Sequence, residues 1–201
     1  MRYNKHFHQK RVGHPRYPIM ADALIKSYAT AFPELVLPGR VTDVGCSVGA
    51  LLKAIKDLGF DCATLGIDYS VNIEDLLEEV EEYYNLDLTK AKQHPESYGH
   101  SDIVVCQEVV EHIEAEYTGA VLDFISSLAF AAESMLVFGA AHPGQPGRHH
   151  VNCRTKEFWA KCLRKRGWQL SEEATKAYLD VLAAGGIKKD CYVDNTQCFI
   201  R

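Results

Sequence analysis

Residues 41–52 read VTDVGCSVGALL, and the fold turns on how they are read. Gly45-Cys46-Ser47-Val48-Gly49 fits G-x-S-x-G, a sharp strand-to-helix turn that exposes a nucleophilic serine. The same residues, with Asp43 two places before the first glycine, also fit a glycine-rich loop that holds a nucleotide-like cofactor. In the first reading Ser47 is a nucleophile. In the second it is a small residue that lets the backbone approach a ligand.

The flanking pattern favours the second reading. Residues 17–36 predict an amphipathic helix stopped by Pro33, and Pro38-Gly39 a turn. RVTDVG predicts a short strand, and ALLKAIKDLGF a helix with Leu51, Leu52, Ile55 and Leu58 on one face and Gly59 at its end. CATLGID predicts a second strand. NIEDLLEEVEEYY predicts a second helix, with Ile73, Leu76, Leu77 and Val80 inward and its acids in solvent. Further strands are expected at YNLDLT, SDIVVCQEV and SMLVFGA, with a helix over EYTGAVLDFISSLAFAA between the last two. A Gly/Pro-rich loop then leads to a helix over TKEFWAKCLRKRGW, with Thr155 as N-cap and Gly167 past its end. DCYVDNTQCFIR carries one or two late strands. Strands alternating with helices predict an open α/β sheet with helices on both faces.

A serine hydrolase of the α/β type builds several strands before its nucleophile, and an acid and a histidine follow in that order. Ser47 stands after one helix and one strand. The cofactor reading asks for an acid at the end of the second strand, and LGIDYS supplies Asp68 there. No third glycine completes the nicotinamide fingerprint G-x-G-x-x-G.

The bulk numbers agree with one ordinary globular domain, residues 1–201: 47% hydrophobic and 24% charged residues. The net charge of −5 argues against a general coat for nucleic acid or membrane, although residues 1–16 form a basic arm with Arg2, Lys5, Lys10, Arg11 and Arg16 and no acid. A loose, solvated terminus is the simpler expectation for that arm, and contact with a phosphate-bearing substrate the alternative. Seven scattered cysteines without C-x-x-C argue against disulfides or a zinc ribbon and for a cytoplasmic setting. No leader or membrane-spanning run is expected.

From residue 41 onward the chain resembles the class I S-adenosylmethionine-dependent methyltransferases. DVGCSVGALL is similar to that family's first motif, LGIDYS to the second, NLDLT to the third, SDIVVCQEVVEH to the E-V-x-E-H segment at the fourth strand, and SMLVFGA to the fifth strand. The resemblance implies a Rossmann-like, open, mostly parallel seven-stranded sheet with a late antiparallel strand, and S-adenosyl-L-methionine as methyl donor. It implies that Gly45, Cys46, Ser47 and Gly49 line the cofactor by backbone contact, and that Asp43 hydrogen-bonds the loop or the methionyl ammonium. Asp68 would take the ribose hydroxyls, with Tyr69 beside the adenine, Asp87 and Leu88 at the adenine edge, and Gln107 facing the methionyl end.

Methyl transfer to a hydroxyl or amine needs a base near the methyl. Glu108, Glu111 and His112 share one face if their segment turns helical, and RHHVN adds His149 and His150 from the loop after the fifth strand. His150 or His112 is the expected base, with Glu108 and Glu111 shaping the site. The same four residues resemble the set in small-RNA 3′-end 2′-O-methyltransferases, which implies a divalent ion on the terminal ribose. E-V-x-E-H also occurs in small-molecule enzymes without one, and no metal ligand is assigned. His6, His8, His14, His94 and His100 read as surface residues. The expected activity is O-methylation of a small, sugar-like or nucleotide-like acceptor under a small polar lid, residues 140–154 and the basic arm. The rivals are the RNA-end enzyme and a non-catalytic module that kept the cofactor fold.

Overall fold

The computed structural model describes residues 5–35, 37–91 and 97–201; Arg2 and His94, named above, lie outside them. Seven strands form one sheet in the order β3-β2-β1-β4-β5-β7-β6. They are β1 (Arg40–Val44), β2 (Ala63–Asp68), β3 (Glu82–Asn85), β4 (Ile103–Gln107), β5 (Met135–Gly139), β6 (Gln169–Leu170) and β7 (Gln197–Ile200). β1 to β5 run parallel, with Asp43 opposite Gly66 on one side and Val105 on the other. β7 is antiparallel to both β5 and β6. The expected mixed, Rossmann-like sheet is present.

Central strands are apolar on both faces because helices cover both. On one side α2 (Arg16–Ala31), α3 (Ala50–Asp57) and α6 (Glu172–Ala184) bury Leu24, Tyr28, Leu52, Ile55, Tyr178 and Leu182 against Val41, Val105 and Val137. On the other, α4 (Thr118–Ser127) and α5 (Lys156–Arg164) bury Phe124, Ile125, Trp159 and Leu163 against Val104, Cys106 and Phe138. Thr155 caps α5 as expected, its hydroxyl accepting from the Phe158 N–H. No described helix is long and apolar enough to cross a membrane.

Three regions depart from the sequence reading. First, the segment NIEDLLEEVEEYY is not a helix: a 3₁₀ turn at Ile73–Asp75 is followed by a second turn, closed by the Val80 N–H on the Leu77 carbonyl, and then by β3. Ile73 is 73% exposed, not inward. Tertiary partners override helix propensity here. The Leu77 N–H donates to the Val48 carbonyl, the Thr64 hydroxyl to the Glu79 carbonyl, and Lys53 and Lys56 hold Glu79 and Glu81 at 2.7 and 2.8 Å. Glu79 and Glu81 are therefore paired while Glu74 and Glu78 stay exposed, and the packing of half-buried Val80 over Gly49 fixes the segment across the start of α3.

Second, α6 occupies a stretch to which the sequence reading assigned no element. Its start is an ordinary cap, the Ser171 hydroxyl accepting from the Ala174 N–H with Glu172 and Glu173 in the first turn. Third, the basic arm is not loose throughout. It forms a short helix, α1 (Lys5–Gln9), and His8 is 5% exposed rather than a surface residue. A last four-residue helix, α7 (Cys191–Asp194), precedes β7.

Candidate active site

The sheet order reverses between β1 and β4, so the loops leaving these strands diverge and open a crevice at their C-terminal ends. The loop after β1 carries Gly45, Ser47 and Gly49 at φ +85°, +53° and +84°. Such values are open to glycine and uncommon for serine. A Cβ on Gly45 would strike the Val109 side chain, and one on Gly49 the Val80 side chain. The two glycines thus admit neighbouring segments of this chain, a packing role that the cofactor reading of the motif did not include.

Asp68 closes this flank. One carboxylate oxygen accepts from the Ser47 N–H at 2.9 Å; the other accepts from the Ser70 N–H and hydroxyl, both at 2.7 Å. His8 reaches over from α1, its Nδ1 2.7 Å from Ser47 Oγ and its Nε2 3.3 Å from Ser70 Oγ. Asp43 lies buried below, and its pKa is pushed up to about 7 by burial and then by the charge of Asp68. Cys46 is buried, and its thiol is raised well above the usual range, first by burial and then by the same two acids. An unreactive thiol fits a packing residue.

Other residues expected on the cofactor side are held as follows. Tyr69 is half-buried just beyond β2. Asp87 caps the turn at Leu88–Lys90 and accepts from the Thr89 N–H and hydroxyl, while Leu88 is buried in the core. The Gln107 amide is committed to β7 and α6: it donates to Thr196 Oγ1 at 2.6 Å and accepts from the Tyr178 hydroxyl at 3.3 Å.

The loop after β4 forms the other flank. A 3₁₀ turn at Val110–His112 follows Glu108, which sits at φ +57°. The loop after β5 clamps onto it, since the Val151 and Asn152 N–H groups both donate to the Glu111 carbonyl. This brings a ligand-type atom of each of Glu111, His112 and His150 within 4.8 Å of the others. Glu108 is held by Asn195, with Oε1 accepting from Nδ2 at 2.7 Å, and its carboxylate stays beside that of Glu111. His149 is exposed; its carbonyl, rather than its ring, takes part.

Glu111 is fully buried, and neither of its carboxylate oxygens accepts a hydrogen bond; in its protonated form the group can donate to the neighbouring Glu108 carboxylate. Burial and then the charge of Glu108 push its pKa to about 8, although the nearby N–H dipoles of Glu111 and Ala141 pull the other way. Burial pushes the His112 pKa down. His112 Nδ1 faces the His149 carbonyl at 3.2 Å, and His150 Nδ1 faces the Gln145 carbonyl at 3.3 Å. A carbonyl only accepts, so both Nδ1 atoms carry protons. In the neutral rings Nε2 then holds the lone pair. Gly147 makes room for His150, since a Cβ there would overlap the imidazole.

A family model described as a methyltransferase domain matches residues 18–173. The chain belongs to the methyltransferase-domain family. Solved structures agree on the fold of this methyltransferase. The plantazolicin methyltransferase BamL, in complex with a triazolic desmethylPZN analog and SAH, is 12% identical, with 96% of this chain and 86% of that one covered at a TM-score of 0.66. Magnesium protoporphyrin IX methyltransferase (ChlM) from Synechocystis PCC 6803, with bound SAH, is 17% identical, with 100% and 89% covered at 0.58. An O-methyltransferase family protein from Burkholderia thailandensis is 12% identical, with 90% and 55% covered at 0.63. No curated protein sequence matches the methyltransferase.

Proposed function

We propose that the chain transfers a methyl group from S-adenosylmethionine to an oxygen, less readily a nitrogen, of a small polar acceptor of the sugar or nucleotide kind. The observation that carries the reading is the crevice between β1 and β4, with two acids on one flank and Glu111, His112 and His150 on the other. The first flank suits the donor chemically. A buried carboxyl at Asp43 and a carboxylate at Asp68 can accept from an ammonium and from ribose hydroxyls, and two related folds carry SAH. The bound sulfonium supplies the methyl: its C–S bond breaks as the C–O bond forms, and the acceptor's proton must leave. On the second flank His112 or His150 takes that proton at Nε2, because its Nδ1–H is already committed to a carbonyl. Glu111 orients the acceptor through a hydrogen bond to a carboxyl oxygen that otherwise accepts none. Calorimetry tests the donor half. S-adenosylmethionine should bind the wild type and fail to bind Asp68→Ala; absence of wild-type binding removes the proposal. Mass spectrometry of a panel of hydroxylated metabolites and a short oligoribonucleotide then names the acceptor.

A metal-assisted version has its own supporting observation, the unpartnered Glu111 carboxylate beside two histidines whose tautomers are set by carbonyls. One carboxylate and two imidazoles suit a first-row transition ion with open positions. Ligands on one such ion stand no more than about 4.4 Å apart, a small contraction from the present cluster. Glu108 is not part of this set, being held by Asn195. The ion would make the acceptor hydroxyl easier to deprotonate, and the histidines would serve as ligands rather than bases. Cobalt(II) titration followed by absorbance tests it. One site in the wild type that Glu111→Gln and His150→Ala abolish supports this version; no such site leaves the histidines as bases.

A further inference from the structure

We propose that His8 is a cofactor-site residue delivered from outside the sheet, closing over Asp68 and passing its Nε2–H from Ser70 to a ribose hydroxyl when the cofactor binds. The inference rests on the S-adenosylmethionine reading above. It starts from an anomaly. A histidine on a five-residue helix near the start of a chain is ordinarily solvated, yet this one is 5% exposed and spans two loops of the crevice.

The hydrogen bonds around it run in one direction. The Ser70 hydroxyl donates to Asp68, because a carboxylate only accepts. Ser70 Oγ therefore accepts from His8 Nε2–H. In a neutral ring Nδ1 is then the acceptor, and the Ser47 hydroxyl donates to it at 2.7 Å. The relay runs Ser47 to His8 to Ser70 to Asp68, and ends on the carboxylate that the cofactor reading gives to the ribose.

That carboxylate is nearly full. It has about four acceptor positions, and the Ser47 N–H, the Ser70 N–H and the Ser70 hydroxyl take three of them. A ribose diol brings two donors, so one present donor must leave. Two of the three are backbone groups fixed by the loops after β1 and β2. The Ser70 hydroxyl is a rotor and can turn away. When it does, the ribose hydroxyl takes its place on Asp68, and His8 Nε2–H finds an acceptor where Ser70 Oγ had been. Cofactor binding and the segment from α1 to Arg16, a strap over the crevice, are thereby coupled through one exchange of partners. The base of the strap stays fixed, since Arg16 pairs with Asp190 at 3.3 Å and lies over the Tyr192 ring. The tip carrying His8 can lift about that base.

The test measures binding of SAH by calorimetry and its release by stopped flow, in the full chain and in His8→Ala. A second ligand is an SAH analogue without ribose hydroxyls. His8→Ala should weaken SAH roughly tenfold, mostly through faster release, as loss of one buried hydrogen bond does. The variant should bind the dideoxy analogue as the wild type does. SAH should also slow tryptic cleavage after Lys10 and Arg11 in the wild type and not in the variant. Unchanged binding and release in His8→Ala overturn the proposal, as does an equal loss with the dideoxy analogue. Labelling of Ser47 by a fluorophosphonate that requires His8 also overturns it, since the pair would then be a nucleophile and its base. If the wild type binds no SAH, the parent reading fails and this one falls with it; failure confined to His8→Ala leaves the parent standing.

Discussion

The two flanks of the crevice treat their carboxylates in opposite ways. On the β1–β2 flank Asp68 accepts three hydrogen bonds from Ser47 and Ser70, and a buried histidine bridges the hydroxyls of these two serines. On the β4–β5 flank Glu111 is more deeply buried than the half-buried Asp68 and accepts none. A buried carboxylate without a partner is costly, and proteins keep such groups where a ligand completes them. The first flank is closed on itself and must exchange a partner to bind. The second is incomplete and has to gain one. Backbone strain marks both, with Ser47 and Glu108 in the left-handed region at corresponding turns after β1 and β4.

The largest effect that separates the flanks is expected at Glu111. Glu111→Leu should lower the rate of methyl transfer by about a thousandfold, within the range for loss of a group that positions the acceptor and holds it by a hydrogen bond. The same change should raise the stability of the free chain by about 1–3 kcal/mol, because an unpaired buried polar group is replaced by an apolar one. Thermal melts with and without SAH measure this, and SAH affinity should stay within twofold. A fall in melting temperature would mean that Glu111 has a partner in the free chain.

Asp43 gives the next effect, on the first flank. Its pKa is raised from 3.8 to about 7, so over the interval between these values the folded chain holds a proton that the unfolded chain has released. Its contribution to stability is therefore fullest below pH 4 and is lost as pH rises through about 7. Binding an ammonium needs the ionised form, so S-adenosylmethionine should bind roughly tenfold more tightly at pH 8 than at pH 6. Asp43→Asn should flatten both profiles. A wild-type affinity that does not change across this interval would remove Asp43 from ammonium binding.

The second flank was legible in part. E-V-x-E-H and the later R-H-H mark Glu111, His112 and His150, because ligand-type residues at sheet ends stand out in sequence. The turn that joins them did not. Glu108 lies at φ +57°, which sends it to Asn195 and out of the cluster, and no spacing rule shows that. The first flank was legible through Asp43, the glycine turn and Asp68. His8 was not, since a bond to Ser47 across 39 residues leaves no local pattern. The strands β1, β2, β4 and β5 were legible as short apolar runs between helical segments, while their order in the sheet was not. NIEDLLEEVEEYY failed as a helix because its acids meet Lys53 and Lys56 and its Val80 meets Gly49, which are partners that sequence periodicity cannot see.

The smallest expected effect sharpens the comparison most, because it moves one group without changing its chemistry. Gly147 is not at a positive φ, so alanine is tolerated by the backbone there. Its Cβ would overlap the His150 imidazole, which must then tilt away from the Gln145 carbonyl that fixes its tautomer. Gly147→Ala should lower methyl transfer by roughly three- to fivefold, less than outright loss of a general base costs, because the imidazole is tilted and not removed. SAH affinity and the melting temperature should not change measurably. Glu111 keeps its place in this variant, so the pair of measurements separates an acceptor flank that depends on where His150 points from one that needs only the Glu111 carboxyl group. If Gly147→Ala turns over at the wild-type rate, His150 is not the base, and His112 carries the proton alone.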